Sequence, residues 1–305
     1  MLFYCGKKGL FHVKIRQRNI SREIVEMNKK AKVYIMNMNF NEKTWVMGIL
    51  NITPDSFSDG GNYTTVENAV NRAKQMVEDG ADIIDVGGES TRPGYTLISD
   101  EEEIARIVPV IQALIKEVDA LISIDTYKAA VAEAAVAAGA HIINDIWGAK
   151  YEPAIAGVAA KWQVPIILMH NRNDTSYNDF WEDVKREIEE SIQIAIDAGV
   201  SKEQIWLDPG IGFGKTTAQN IEMMQLLGKF VELGYPVLLG TSRKSLVGKV
   251  LELPVNERLE GSLATVCYGV ERGCHIVRVH DVKETSRTVR MMDVLTGKQS
   301  YKGVE

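Results

Sequence analysis

Cysteine is scarce here. Cys5, Cys267 and Cys274 are the three in 305 residues, with no CxxC pair and no histidine at metal-ligand spacing. That pattern excludes a disulfide framework and a cysteine-based zinc site, and reduced thiols set the expectation of a cytoplasmic protein. Long apolar runs are also lacking: none approaches the roughly 20 residues that a membrane span needs. So is an excess of positive charge. Lys and Arg number 35 against 41 Asp and Glu, a net charge of −6, so no global field draws nucleic acid. A small phosphorylated substrate stays open, because a local pocket can be cationic on an acidic protein.

The first 26 residues differ from the rest. Lys7, Lys8, Lys14, Arg16, Arg18 and Arg22 all precede the first acidic residue, Glu23. A basic, acid-poor N-terminus is the pattern of a transit peptide. It is also that of a poorly ordered tail, or of a start assigned too early with Met27 as the true one. We therefore expect an N-terminal extension over 1–31 and a single domain over 32–305. Val33–Met38, followed by Asn39, Asn41, Glu42 and Lys43, reads as a β-hairpin capping the bottom of that domain.

From Trp45 onward one pattern repeats: a short apolar, β-branched run ends in a polar residue, and a helical stretch follows. The runs are Val46–Leu50, Ile83–Val86, Leu121–Ile124, Ile142–Ile143, Pro165–Met169, Ile205–Leu207, Pro236–Leu239 and Ile276–Val279. The helical stretches are Val66–Asp79, Asp100–Glu117, Ala129–Ala138, Pro153–Trp162, Phe180–Ala198, Ala218–Leu233, Leu259–Glu271 and Val282–Leu295. Glycines such as Gly139 and Gly234 stand where helices should end. Alternating strands and helices imply a parallel sheet with right-handed crossovers. Eight units favour closure into a (β/α)8 TIM barrel over an open, doubly wound sheet.

Such a barrel places its active site at the carboxyl ends of the strands, so the residue closing each run is the one to read. These are Asn51, the Gly87–Gly94 segment, Asp125, Asn144 with Asp145, His170, Asp208, Thr241–Ser245, and Arg278 with His280. A polar residue at one strand end is as readily a turn or a helix cap; polar groups at all eight ends are harder to explain that way. Arg278 and His280 are two apart and share a strand face, while Val277 and Val279 turn toward the helices. An arginine points into a barrel where an anion awaits it. That anion is either a phosphate on the ligand or an internal carboxylate, Asp125 or Asp208. Asp125, Asn144 and Asp208 form a polar wall suited to a flat ring carrying N–H donors and carbonyl acceptors, and a guanidine-like edge pairs with a carboxylate through two parallel bonds. Asp208–Thr216 imitates a nucleotide loop but fails the test: a Walker A motif needs glycine where Pro209 stands, and GxGxxG needs it where Lys215 stands. Its glycines suit a tight turn that brings backbone close to a ligand.

Two long motifs, MGILNITPDSFSDGG over 47–61 and DVGGESTRPG over 85–94, join Ser123–Thr126, Ile143–Asp145, Met169–His170, the 208–213 turn, Ser242–Ser245 and Arg278–Asp281. Together, from about residue 45 to 295, they resemble the dihydropteroate synthase family of pterin-binding enzymes. The resemblance implies condensation of 6-hydroxymethyl-7,8-dihydropterin pyrophosphate with p-aminobenzoate, giving dihydropteroate and pyrophosphate, with Mg2+ as cofactor, a homodimer as the assembly, and inhibition by sulfonamides. It excludes nucleic acid and membrane partners. The nearest alternatives are a catalytically inactive pterin-binding paralogue and the pterin-binding domain of methyltetrahydrofolate:corrinoid methyltransferases. The second has no pyrophosphate to hold, so Lys244, Arg278 and the Thr91–Gly94 loop speak against it.

Residue by residue, the resemblance puts the pterin on Asp125, Asn144, Asp208 and Lys244, with Met169, Phe213 and Ile146 as apolar neighbours. It puts the pyrophosphate on Asn51, Thr91, Arg92, Arg278 and His280, with Mg2+ bound by Asn51. It puts p-aminobenzoate against Phe57, Thr91, Pro93 and Ser245, the last beginning a helix after strand seven. Asp125 and Lys244 then serve catalysis, and Asp59 and Arg92 order the loops after strands one and two over the bound pyrophosphate. Reaction by departure of pyrophosphate before attack of the aniline nitrogen is the expected course.

Overall fold

The computed structural model describes residues 35, 38–52, 62–89, 97–301 and 303. The chain divides into two compact units, 1–38 and 39–305. The first lies almost wholly outside the described residues, as does most of Val33–Met38, the leading strand of the expected hairpin. The part that is described makes a turn. Glu42 N–H donates to Asn39 O at 3.1 Å and Asn41 N–H to Asn39 Oδ1 at 3.0 Å, so the asparagine closes the backbone on itself and no strand precedes β1 among the described residues.

In the second unit eight strands alternate with helices. The strands are β1 (Trp45–Asn51), β2 (Ile83–Gly87), β3 (Leu121–Asp125), β4 (Ile142–Asp145), β5 (Ile166–Met169), β6 (Ile205–Asp208), β7 (Leu238–Leu239) and β8 (Ile276–Val279). The helices are α1 (Asn62–Glu78), α2 (Asp100–Glu117), α3 (Ala129–Ala138), α4 (Ala154–Trp162), α5 (Phe180–Asp197), α6 (Thr217–Gln225), α7 (Leu227–Val231), α8 (Ser245–Leu251), α9 (Leu259–Glu271) and α10 (Val282–Leu295). All pairings are parallel, in the order β6-β5-β4-β3-β2-β1-β8-β7. A parallel bridge from Leu207 to Val237, with Leu207 N–H donating to Pro236 O at 2.8 Å, joins the two ends. The result is the expected TIM barrel.

Two expected elements differ. The helix over Ala218–Leu233 is two pieces, because Leu226 leaves helical geometry at φ −89°, ψ 2° just ahead of Gly228, a poor helix former. The strand expected from Pro236 shortens to two residues, since proline has no N–H for the ladder. Elsewhere local chemistry sets the ends. Ser99 Oγ caps α2 by accepting Glu102 N–H, Thr216 and Gln219 form a reciprocal capping box on α6, and Gly139 ends α3 at φ 120°.

Side chains alternate along each strand, so one set fills the bore while the other meets the helices. Gly48 belongs to the second set, since a Cβ there would lie 3.0 Å from Met76 Sδ and 3.1 Å from Val282. Ile83, Ile84, Ile122, Ile124, Ile142 and Ile143 are fully buried, each contributing about 1.5–3 kcal/mol relative to exposure. The Phe40 ring packs edge-on against Trp45, Trp206 and His275, with centroids 5.4–6.4 Å apart. These residues stand at the amino ends of their strands, so they floor the barrel and leave the carboxyl ends for chemistry.

Candidate active site

Strand register lines up the first part of the site. Asn51 pairs with Gly87, Gly87 with Asp125, and Asp125 with Asn144. A Cβ on Gly87 would lie 3.4 Å from Asn51 Oδ1 and 3.8 Å from Asp125 Oδ2, so the missing side chain keeps the space between them open. Met169 pairs with Asp208 on the next two strands.

Arg278 enters from β8 between two carboxylates. Its Nε donates to Asp85 Oδ2 at 2.6 Å and its Nη2 to Asp125 Oδ2 at 2.5 Å. The internal ion pair that the sequence allows therefore exists, to Asp125, and a second joins it, to Asp85. Asp85 is fully buried, and the same Oδ2 accepts Asn144 Nδ2–H at 3.1 Å. That bond fixes the asparagine amide with its oxygen directed elsewhere. Asp85 Oδ1, Asp125 Oδ1 and Ser123 Oγ are buried without a hydrogen-bond partner among the described residues. Burial raises the Asp125 pKa, and Arg278 pulls it back. Burial also works against the guanidinium charge of Arg278, but Asp85 and Asp125 outweigh it and hold the group protonated.

A second cluster gathers where β6 and β7 end. A Cβ on Gly240 would lie 3.8 Å from both Asp208 Oδ2 and Lys244 Nζ, and 3.9 Å from Arg278 Cβ, so an acid and a base meet in one small space beside the stem of the arginine. Asp208 Oδ1 accepts Gly210 N–H at 2.7 Å. Burial raises the Asp208 pKa against the opposing pull of Lys244. Burial lowers that of Lys244 to about 8, with Asp208 resisting. The Lys244 ammonium donates to Ile211 O and stands 4.7 Å from the centroid of the Phe213 ring, a cation–π contact.

The segment bearing Lys244 is braced from behind. Arg243, in the left-handed region at φ 57°, forks onto Asp281, with Nε to Oδ2 at 3.0 Å. Its N–H donates to Ser262 Oγ at 3.0 Å. Thr241 and Thr265 hydroxyls meet at 2.7 Å, and Arg258 Nη1 donates to Arg243 O at 3.0 Å. His280 Nδ1 and N–H both face Ser242 Oγ, at 3.1 and 3.2 Å. Ser245 is the first residue of α8, and Lys244, without a side-chain capping bond, occupies the N-cap. Serine is thus not the cap its type suggests.

Met169, Ile146 and Tyr127 form a buried apolar cluster with Phe213 and Trp147 against it. Two polar strand ends turn away from the bore. Asp145 accepts the N–H groups of Trp147 and Ala149 at 2.8 and 2.6 Å. His170 is fully buried and binds Glu187 and Lys215. Phe57, Asp59, Thr91, Arg92 and Pro93 lie outside the described residues.

The profile of the pterin binding enzymes matches residues 47–280. The chain belongs to that family. Within these pterin-binding enzymes it is 56% identical over 261 residues to the dihydropteroate synthase of Bacillus subtilis, covering 86% of this chain and 92% of that one. A Clostridium difficile dihydropteroate synthase solved in the presence of pteroic acid superposes with a TM-score of 0.83 at 49% identity, over 85% of this chain and 98% of that one. A Yersinia pestis dihydropteroate synthase in complex with a sulfonamide drug gives 0.79 at 40% identity, over 86% and 97%. The function of the chain is that of a dihydropteroate synthase, a transferase of folate biosynthesis.

Proposed function

We propose that the reaction runs by departure of pyrophosphate ahead of attack, with the pterin seated between the Asp208–Lys244 cluster and the Asp125–Asn144 wall. The observation that carries this reading is the meeting of the Asp208 carboxylate and the Lys244 ammonium on the face of Gly240, beside the Cβ of Arg278. Asp208 takes the amino-pyrimidine edge of the pterin through paired hydrogen bonds. Lys244 donates to ring acceptors, Asn144 orients the far edge, and Met169, Ile146 and Phe213 supply apolar surface. As positive charge spreads from the pterin methylene into the ring, the neighbouring carboxylate of Asp125 stabilises it.

Arg278, His280 and Asn51 face the pyrophosphate, joined by Thr91 and Arg92. No cluster of three His, Cys, Asp or Glu side chains among the described residues would hold a metal alone. Asn51 offers one hard oxygen, which suits Mg2+, an ion that takes most of its ligands from phosphate and water. When bound there, the ion neutralises charge on the leaving group. Phe57, Thr91, Pro93 and Ser245 take p-aminobenzoate, whose aniline nitrogen is neutral at working pH and needs no general base. Asp59 and Arg92 order the loops that exclude water, which would otherwise trap the cation as the alcohol. The enzyme works as a cytoplasmic homodimer; sedimentation of a single monomeric species would overturn that assembly.

Positional isotope exchange tests the chemical order. With 18O in the bridging position of the pterin pyrophosphate and p-aminobenzoate withheld, scrambling into non-bridging positions is expected, because departed pyrophosphate rotates before it returns. Normal turnover with no scrambling would favour direct displacement.

A further inference from the structure

Lys215 is a lysine with hardly any contact with water. It is 9% exposed, and its ammonium meets three acceptors: His170 Nδ1 at 2.8 Å, Gly210 O at 3.1 Å and Phe213 O at 3.2 Å. Three acceptors match the three protons of an ammonium, with none left over. Because an ammonium only donates, His170 Nδ1 accepts. The imidazole proton is then on Nε2, which reaches Glu187 Oε2 at 3.0 Å. Glu187, on α5, is held in turn by Arg172 and Arg186 at 3.7 and 3.5 Å. A continuous polar path thus runs from a surface helix, through the end of β5, to the turn that follows β6.

That turn explains the glycine pattern that imitates a nucleotide loop. Gly210, Gly212 and Gly214 have φ of 68°, 87° and 52°, a region closed to most side chains. The alternation lets the Gly210 and Phe213 carbonyls point at one lysine. A Cβ on Gly210 would lie 1.9 Å from His170 O, and one on Gly212 would lie 3.2 Å from Lys244 Cδ. Between these glycines stand Ile211, whose carbonyl accepts from Lys244, and, just after them, Phe213, whose ring lies under the same ammonium.

We infer that Lys215 is a positioning residue for substrate binding: its ammonium ties the Gly210–Phe213 turn to His170 and Glu187, and so sets where Ile211 O and the Phe213 ring meet Lys244. The inference rests on the assignment of Lys244 and Phe213 to the pterin. It has a pH consequence. Burial brings the Lys215 pKa down to about 7; Asp208 on β6 and Glu187 on α5 support its charge, and Lys244 after β7 and Lys150 after β4 oppose it. The neutral amine has two protons for three acceptors. The tie is whole below neutrality and loosens as pH rises through it.

The test compares full-length wild type with Lys215→Met, Lys215→Arg and Lys244→Met. KM for the pterin pyrophosphate, KM for p-aminobenzoate and kcat are measured between about pH 6 and 9. We expect Lys215→Met to raise the pterin KM about tenfold near pH 6, to change the p-aminobenzoate KM little, and to erase the rise of pterin KM across neutrality. Lys215→Arg, charged throughout, should restore the low KM and lack the break near pH 7, keeping only the one near pH 8 that belongs to Lys244. Wild-type pterin KM and pH dependence in Lys215→Met would overturn the inference, as would equal loss in both KM values and kcat that tracks a lowered melting temperature. If Lys215→Met does not fold, Lys215→Gln is decisive through the same profile. Lys244→Met separates the two levels. If it binds pterin normally by calorimetry, the pterin assignment itself fails; if it loses binding while Lys215→Met does not, only the tie fails.

Discussion

Asp85 holds Arg278: Nε of the arginine donates to Oδ2 of the aspartate at 2.6 Å, although the two stand 193 positions apart in the chain. The same oxygen anchors Asn144, so one fully buried carboxylate orients two residues of the proposed site. Replacing it by asparagine keeps the shape and removes the charge. We expect Asp85→Asn to raise the KM for the pterin pyrophosphate about tenfold, the scale of one charge-assisted hydrogen bond. Asp85→Ala should also cost about 3 kcal/mol of stability, because breaking a buried pair strands the partner charge. Steady-state kinetics and urea unfolding measure the two effects. Normal values in both variants would remove Asp85 from the site.

The charge on Lys244 sets a limit on the alkaline side. Burial lowers its pKa to about 8, so the ammonium is present below that pH and lost above it. The kcat/KM for the pterin substrate should fall about tenfold per pH unit beyond the break, as the charged fraction does. In Lys244→Met the value should be low and flat across the same range. An unaltered alkaline limb in that variant would assign the break elsewhere.

Two glycine-to-alanine changes should move stability in opposite directions. At Gly210, with φ 68° and a Cβ position 1.9 Å from His170 O, alanine is doubly excluded, and Gly210→Ala should cost about 3 kcal/mol or more. Gly157 lies inside α4, and a Cβ there meets nothing within 4 Å. Gly157→Ala should stabilise by about 0.5–1 kcal/mol. Thermal melts of the pair decide both signs.

Three histidines make the fold sensitive to acid. His141 Nδ1 accepts Ile122 N–H at 2.9 Å, His275 Nδ1 accepts Val237 N–H at 2.9 Å, and His170 Nδ1 accepts from Lys215. Each must be unprotonated there, and burial lowers each pKa to about 4. Below the ordinary histidine pKa of about 6.5 the unfolded chain binds protons that the folded one refuses. Stability should therefore fall as pH drops from 6.5 toward 4, by up to about 1.4 kcal/mol per pH unit for each histidine. Urea unfolding at several pH values measures the slope, and His141→Asn should reduce it. A flat profile would mean that these rings are protonated in the fold.

The strands and the polar residues that close them were legible because β-branched runs with a polar end repeat without interruption. Arg278 and His280 share a face through simple alternation. Other parts of the site have no local signal. Asp85 sits within the run Ile83–Val86 and reads as part of a strand; its role exists only once β8 lies beside β1. Lys215 looked like the failed residue of a nucleotide loop, and Glu187 like any charge on a helix. Both acquire meaning from His170, which the sequence offers merely as a polar strand end. The break between α6 and α7 was obscured by helical periodicity that continues through Leu226.

β7 has two residues, and β6 is joined to this part of the wall through one bridge, from Leu207 to Val237 just ahead of β7, among the described residues. The wall that bears Lys244 is therefore fastened less by the sheet than by side chains behind it: Arg258 on the carbonyl of Arg243, Ser262 on its amide, Thr265 on Thr241. Catalytic geometry on this side of the molecule is thus written partly into α9 and the arginine before it. A substitution at any of those positions, made where no substrate reaches, is in effect an edit of the substrate's surroundings. The chemistry of this wall can therefore be retuned while every ligand-facing residue stays the same.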